Sequence, residues 1–250
     1  MLPDYTACWA NCLGDCDGGM SQEHLVSQCL YERDIKVKGL PWCKDDWKFL
    51  RIANVTARIL CRHHNSALSV VDDGAKHTLE TIGRAFDLWE VRKTLASRRW
   101  TMQYFETDVL LFERWCLKTL ININLNNKPS IPIDESTMPT EELVRTAFGL
   151  DRFKPPKGLY MMVSDLPENR TVNLMEGEIT IQTNSCNDRL SGAQFDLWGM
   201  RFLLNLYPDN LYWNQGHLMR GAGMKHMFQT RDRKGRLVDS HLLTYTYPEG

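Results

Sequence analysis

Six of the eight cysteines lie in the first quarter of this chain, and that distribution limits how the N-terminal region can fold. They are Cys8, Cys12, Cys16, Cys29, Cys43 and Cys61. The N-terminus lacks a basic segment followed by an apolar one, and the chain has no apolar run of about 18 residues. We therefore expect a cytoplasmic protein that does not enter a membrane. In that compartment, clustered cysteines serve as metal ligands or buried thiols rather than as disulfides.

Two close pairs of zinc-ligand residues stand out in this region. Zinc prefers four soft or borderline ligands in a tetrahedron, often presented as two short-spaced pairs. Cys12 with Cys16 forms the first pair, and Cys61 with His64 forms the second. We predict a structural zinc ion held by these four residues.

The spacing leaves two alternatives open for the zinc ligands. Cys8 can replace either member of the first pair, and His63 can replace the adjacent histidine of the second. The sequence alone does not choose between them.

Glu23, His24 and Asn65 supply the groups for phosphodiester hydrolysis on the same scaffold. A carboxylate and an amide oxygen are hard ligands that suit Mg²⁺ or Mn²⁺. An adjacent imidazole with a pKa near neutrality can take a proton from water. We predict that His24 is the general base and that Glu23 and Asn65 hold a catalytic Mg²⁺ or Mn²⁺ ion.

The segments Glu23-His24 and Cys61-x-x-His64-Asn65 resemble the HNH branch of the His-Me finger, or ββα-metal, nucleases. Members of that family carry an acidic residue or His before the catalytic His, and a later Cys-x-x-Cys followed by His or Asn on a helix. The residues that flank both segments also resemble those of bacterial HNH-like proteins of unassigned role. The resemblance covers roughly residues 8–73 and implies a ββα-metal finger there.

The chain departs from the family pattern at three points. His64 stands where a second zinc cysteine is usual, and Cys12 and Cys16 are separated by three residues where two are usual. The middle Asn of the HNH name, which orients the catalytic His in the family, has only Asn54 as a nearby counterpart.

Hydrophobic periodicity predicts helices in the middle of the chain and strands in its last part. Apolar residues step by three and four from Leu68 to Trp89, which indicates one helix face against a core. A second, more apolar helix is predicted for residues 109–123, and a short one follows Thr140, a suitable N-cap. After residue 156 the apolar residues alternate with polar ones between Gly, Asn and Asp turns, which indicates an antiparallel sheet.

These patterns predict an α+β protein in three parts. Residues 1–73 form the zinc-stapled module, residues 74–150 a helical section, and residues 151–250 an antiparallel β domain with a regulatory or recognition role. We expect the helical section and the sheet to share one core.

The charge balance restricts the binding partners. Lys and Arg number 30 against 31 Asp and Glu, so the whole molecule has no strong attraction for nucleic acid or anionic membrane. Contact with nucleic acid then needs a local patch, and Arg98 and Arg99 beside Trp100 are the candidates, because they combine phosphate-binding charge with a stacking surface.

Together these features predict a metal-dependent endonuclease that cuts DNA in preference to RNA. Near-neutral charge favours a nuclease that is recruited or switched on, so we expect the β domain to gate it or to bind an activating partner or a second copy of the chain. Analogy with free-standing HNH proteins suggests defence against foreign DNA. The alternative is a catalytically inactive, zinc-stapled subunit for nucleic-acid binding or assembly.

Overall fold

The computed structural model describes residues 6–30, 35–38, 43, 46–51, 55–94, 103–126, 130–133, 135–162, 178–197, 200–207, 218–219, 225–231 and 234–246. The helices are α1 (Arg62–Ala67), α2 (Ser69–Thr94), α3 (Val109–Asn126) and α4 (Glu141–Ala147). The strands are β1 (Met20–His24), β2 (Ile35–Lys38), β3 (Lys48–Leu50), β4 (Thr56–Cys61), β5 (Tyr104–Asp108), β6 (Gly158–Met162), β7 (Glu178–Cys186), β8 (Arg189–Leu197), β9 (Met200–Asn205), β10 (Leu218–Met219), β11 (Lys225–Arg231) and β12 (Leu237–Thr246). This mixture of helix and sheet confirms the α+β class.

A two-stranded antiparallel sheet near the N-terminus leads directly into a helix. Strands β1 and β4 pair antiparallel, with His24 opposite Thr56. Helix α1 follows β4 without a loop because Cys61 is its N-cap: its backbone is extended and its sulfur accepts the His64 backbone N–H. Cys61 therefore both ends a strand and begins a helix.

A seven-stranded sheet forms the largest layer, in the order β10-β6-β9-β8-β7-β2-β3. Strands β7 and β8 form a hairpin whose two turn residues, Asn187 and Asp188, have φ values of 51° and 60°. Positive φ at both positions is typical of a type I′ turn, which suits the right-handed twist of the strands. Strand β2 joins this sheet parallel to β7.

A third, three-stranded sheet has the order β11-β12-β5. Strands β11 and β12 are antiparallel, whereas β5 pairs parallel with β12. Every described pairing within residues 151–250 is antiparallel, as the sequence predicts. The two parallel pairings cross the boundaries predicted at residues 73 and 150, so backbone hydrogen bonds join the three parts.

Helix α3 lies at the centre of the core. The Phe112 ring centroid lies 5.0 Å from that of Phe202 on β9, and the Trp115 centroid lies 5.9 Å from that of Phe195 on β8. All four side chains are buried in one apolar cluster that also includes residues of α2. The expected common core of the helices and the sheet is therefore present.

Helix α2 packs closely on α3 near its N-terminus. A Cβ atom added to Gly74 would lie 2.4 Å from Leu111 Cβ, so only glycine permits this approach. The predicted apolar stripe is confirmed by the buried residues Leu68, Val71, Ala75, Leu79, Ile82 and Phe86. The predicted cap of α4 is also confirmed, since the Thr140 hydroxyl accepts the Leu143 backbone N–H.

Among the described residues, no helix has both the length and the apolar character that crossing a membrane requires.

Candidate metal centre and adjacent ion cluster

Four metal-ligand side chains converge where β4 meets α1. The Nδ1 atom of His64 lies 3.4 Å from Cys8 Sγ, 3.6 Å from Cys16 Sγ and 3.1 Å from Cys61 Sγ. All four ligand atoms lie within 4.8 Å of one another. A tetrahedral zinc ion, with Zn–S near 2.3 Å and Zn–N near 2.05 Å, needs N···S separations of about 3.6 Å. The Cys3His cluster therefore has the ligand set and nearly the dimensions to hold a metal such as zinc.

Backbone hydrogen bonds bring the four ligands together from two regions of the sequence. Trp9 N–H donates to the Ile59 carbonyl of β4, which fixes Cys8 beside that strand. The N–H of Arg62, at the start of α1, donates to the Gly19 carbonyl of the loop that follows Cys16. The first turn of the helix thus holds the cysteine loop in place.

Backbone N–H groups also point at the sulfur atoms. The N–H of Cys61 lies 3.3 Å from Cys8 Sγ, and the N–H of His64 lies 3.4 Å from Cys61 Sγ. Donors aimed at sulfur favour the thiolate, which is the form that binds metal. The site is therefore built to stabilise negative sulfur.

The thiols nevertheless need a cation before they ionise. Burial raises the pKa of Cys8 above its ordinary value. Burial, followed by the nearby Cys8 and Cys61 thiols, raises the pKa of Cys16 to about 12. A divalent ion would supply the compensating charge, because coordinated thiols lose their protons.

The cluster differs from the predicted ligand set at one position. Cys12 is exposed in the short 3₁₀ turn Asn11–Leu13 and lies outside the cluster, whereas the buried Cys8 is its fourth member. Of the two histidines considered for the second pair, His64 belongs to the Cys3His cluster, whereas His63 does not and has its Nε2 atom 3.3 Å from an Asp15 oxygen. The apolar residues that follow Cys8 indicate that it is buried. The choice of Cys12 was based only on its short spacing from Cys16.

Glu23 lies in a buried ion cluster that the sequence analysis missed. Lys118 Nζ lies 2.7 Å from Glu23 Oε1 and 2.8 Å from Asp72 Oδ1. Lys118 and Glu23 are almost fully buried, and Asp72 is partly buried. One ammonium group on α3 therefore joins two carboxylates from β1 and α2.

Neutral polar groups complete this cluster. Asn122 Nδ2 lies 3.3 Å from both Glu23 Oε1 and the His24 carbonyl oxygen, and Asn122 Oδ1 accepts the Trp9 indole N–H at 3.1 Å. On the opposite side, Ser27 donates to Asp72. The end of β1 is thus tied to α3 by hydrogen bonds as well as by the ion pair.

Burial and charge act in opposite directions on the ionisable groups. Burial lowers the pKa of Lys118, but the combined attraction of Glu23 and Asp72 outweighs it, so the pKa lies above its ordinary value. Burial raises the pKa of Glu23, which shares the single ammonium group with a second carboxylate. Burial, aided by the Lys118 charge, lowers the pKa of His24. The His24 imidazole is therefore neutral near pH 7.

The predicted catalytic Mg²⁺ or Mn²⁺ site is not formed by these residues. The Glu23 carboxylate faces an ammonium group, and Asn65 Nδ2 donates to Ser21 Oγ at 3.1 Å and to the Gln22 carbonyl at 3.3 Å. In the part of the chain that the structure describes, no cluster of three or more His, Cys, Asp or Glu ligand atoms includes Glu23 or His24. A divalent ion at Glu23 therefore does not fit this arrangement.

Four residues of the sequence-based site lie outside the described residues. They are Arg98, Arg99 and Trp100 of the predicted nucleic-acid contact, and Asn54.

The cluster predicts that Cys8, not Cys12, is required for zinc. We expect about one zinc per chain, retained in Cys12→Ser because its thiol lies outside the cluster, and lost in Cys8→Ser. Elemental analysis of protein purified without chelator or nickel resin measures this. Loss in Cys12→Ser with retention in Cys8→Ser would contradict the ligand assignment.

The ion cluster predicts a large stability loss in Lys118→Met. The substitution leaves two carboxylates without their cation, and breaking a buried pair costs about 3–5 kcal/mol. Urea unfolding followed by circular dichroism measures the change. Adding Glu23→Gln should recover part of the loss, because one of the unpaired charges is then removed.

Lys76→Met is the matched control for Lys118→Met. Lys76 lies on the exposed side of α2, 3.9 Å from Glu80, so its loss should cost no more than about 0.5 kcal/mol. Equal effects of the two substitutions would refute the structural role of the buried cluster.

Comparison of the chain with protein-family models, with curated proteins and with solved structures found no match.

Proposed function

We propose that this protein is an endonuclease of the HNH type that hydrolyses phosphodiester bonds in nucleic acid, with DNA preferred to RNA. The observation that carries the proposal is a two-stranded antiparallel sheet whose second strand continues directly into a helix at a Cys3His cluster. Strand β1 pairs with β4, and α1 begins at Cys61, which belongs to the cluster. This arrangement matches what the resemblance to ββα-metal nucleases implies.

The two remaining predicted groups lie beside the same strand. His24 is the last residue of β1, and its side chain is partly exposed. Asn65 is in α1 and donates to Ser21 and to the Gln22 carbonyl, so this helix turn lies against β1. We assign this imidazole and this amide, from β1 and the adjacent α1, to the phosphodiester in the proposal.

His24 acts as the general base in this proposal. A neutral imidazole can accept a proton, and burial together with the Lys118 charge keeps His24 in that form by lowering its pKa. The ring would take one proton from the attacking water as the water oxygen bonds to phosphorus, and the P–O bond to one sugar oxygen would break. That sugar oxygen would leave as a hydroxyl group after taking a proton from solvent water. The hydrogen bond from Asn122 to the His24 carbonyl limits movement of the backbone that carries the ring.

Glu23 has a different role from the one predicted by sequence. Its carboxylate is committed to Lys118 and Asn122, so we assign it to holding the end of β1 against α3. No step of the proposed hydrolysis passes through a divalent ion at this residue.

The proposed nuclease is also recruited to its substrate or controlled by another molecule. The near-zero net charge gives little general attraction for DNA, which favours a nuclease directed or gated through its C-terminal sheets by a partner or a second copy. A role in defence against foreign DNA remains part of this proposal by analogy.

A second function is favoured by the Glu23 ion pair. A carboxylate neutralised by lysine suits a zinc-stapled module that binds nucleic acid or assembles with other chains without cutting. In that case the protein shifts DNA in a gel and yields no product with Mg²⁺, Mn²⁺ or chelator.

The proposed activity predicts that His24→Ala abolishes cleavage. Loss of a general base lowers the rate by about 10²–10⁴-fold, and the supercoiled plasmid should stay intact in assays with Mg²⁺ or Mn²⁺. His77→Ala is the control, because His77 is exposed on α2 away from β1. Folding of both variants is checked by circular dichroism.

Three outcomes separate the possibilities. Cleavage by the parent and by His77→Ala but not by His24→Ala supports the nuclease and its base. Equal cleavage by all three contradicts the assignment of His24. Binding without cleavage by the parent, with either ion, supports the second function.

A further inference from the structure

Asp15 contacts the outer side of the metal-ligand histidine. We propose that Asp15 is a positioning residue of the metal centre: it holds His64 so that Nδ1, and not Nε2, binds the metal. The proposal concerns the Cys3His centre alone and does not depend on nuclease activity.

The two ring nitrogens of His64 face different partners. Nδ1 faces the three sulfur atoms at 3.1 to 3.6 Å. Nε2 lies 2.7 Å from Asp15 Oδ1, on the opposite edge of the ring. A metal ion among the sulfurs is therefore within reach of Nδ1 only.

The chemistry of the partners fixes the tautomer. An ionised carboxylate can only accept hydrogen bonds, so the His64 proton must be on Nε2. The lone pair is then on Nδ1, where a metal ligand needs it. A carboxylate bonded to the distal N–H also makes the imidazole more basic and fixes its orientation. Asp15 thus sets the tautomer and the orientation of the His64 ring before a metal ion binds.

The sequence places this carboxylate next to a ligand. Asp15 immediately precedes Cys16, so one short loop carries both a sulfur ligand and the group that orients the nitrogen ligand. His63 approaches the other oxygen of Asp15, with Nε2 3.3 Å from Oδ2. Two adjacent histidines therefore share one carboxylate, but only His64 also faces the three sulfur atoms.

Asp15 is suited to substitution because it lies at the surface. Its side chain is 58% exposed, whereas His64 is 1% exposed. We expect the fold to tolerate replacement of this charge, so an effect on metal binding can be separated from an effect on folding.

The first test compares Asp15→Asn with Asp17→Asn in the full chain. Asp17 is an exposed carboxylate two residues away and outside the cluster, so both variants lose the same charge from the same loop. Zinc affinity is measured by competition with a chromophoric chelator. We expect a loss of about 10–100-fold in Asp15→Asn and less than about threefold in Asp17→Asn. Asp15→Glu should recover part of the loss, because it restores the carboxylate.

The second measurement uses ¹⁵N NMR of the histidine rings in the zinc-loaded parent protein. We expect a metal-bound Nδ1 and a protonated Nε2 for His64. Equal zinc affinities in Asp15→Asn and Asp17→Asn, or a metal-bound Nε2, would overturn the proposal. It would also be overturned by two zinc ions per chain with one lost in His63→Ala, since Asp15, His63 and His64 would then hold a second ion.

Discussion

Charge compensation at the junction of β4 and α1 is the constraint on which the N-terminal part of the structure depends. Two buried thiols, one partly buried thiol and one imidazole meet there, and without a cation desolvation keeps the Cys8 and Cys16 thiols protonated. With a divalent ion the same residues become four strong ligands from two regions of the sequence. Because Cys61 is also the cap of α1, metal binding, helix initiation and the position of the cysteine loop form one unit.

A second constraint joins this unit to the rest of the protein. Lys118 reaches from the core helix α3 to carboxylates on β1 and α2, and the close approach of α2 to α3 at Gly74 makes that reach possible. The two-stranded sheet that carries His24 is therefore held at both ends: the Cys3His cluster includes the last residue of β4, and the ion cluster contacts the end of β1. A side chain fixed in this way is suited to precise chemistry, and the same interactions neutralise the carboxylate next to it.

Local patterns in the sequence predicted much of this fold, while its long-range contacts could not be read from them. Helix α2 followed from apolar residues at three- and four-residue steps, and α4 from the cap at Thr140. The choice of Cys8 over Cys12 depends on which way a 3₁₀ turn faces, and spacing carries no such information. The ion pair between Glu23 and Lys118 could not be predicted for another reason. Lys118 is distant from Glu23 in sequence, and its position within an apolar helix gives no sign of a charged partner. The parallel pairings of β2 with β7 and β5 with β12 were missed because periodicity does not indicate partners.

The central claim is that Cys8, Cys16, Cys61 and His64 form one metal centre. X-ray absorption at the zinc edge on the purified full chain tests it most directly, because it reports ligand type and distance together. The account predicts three sulfur atoms at about 2.3 Å and one nitrogen at about 2.0–2.1 Å. A shell with two or fewer sulfurs, or one of nitrogen and oxygen only, would contradict the Cys3His centre and the scaffold built on it.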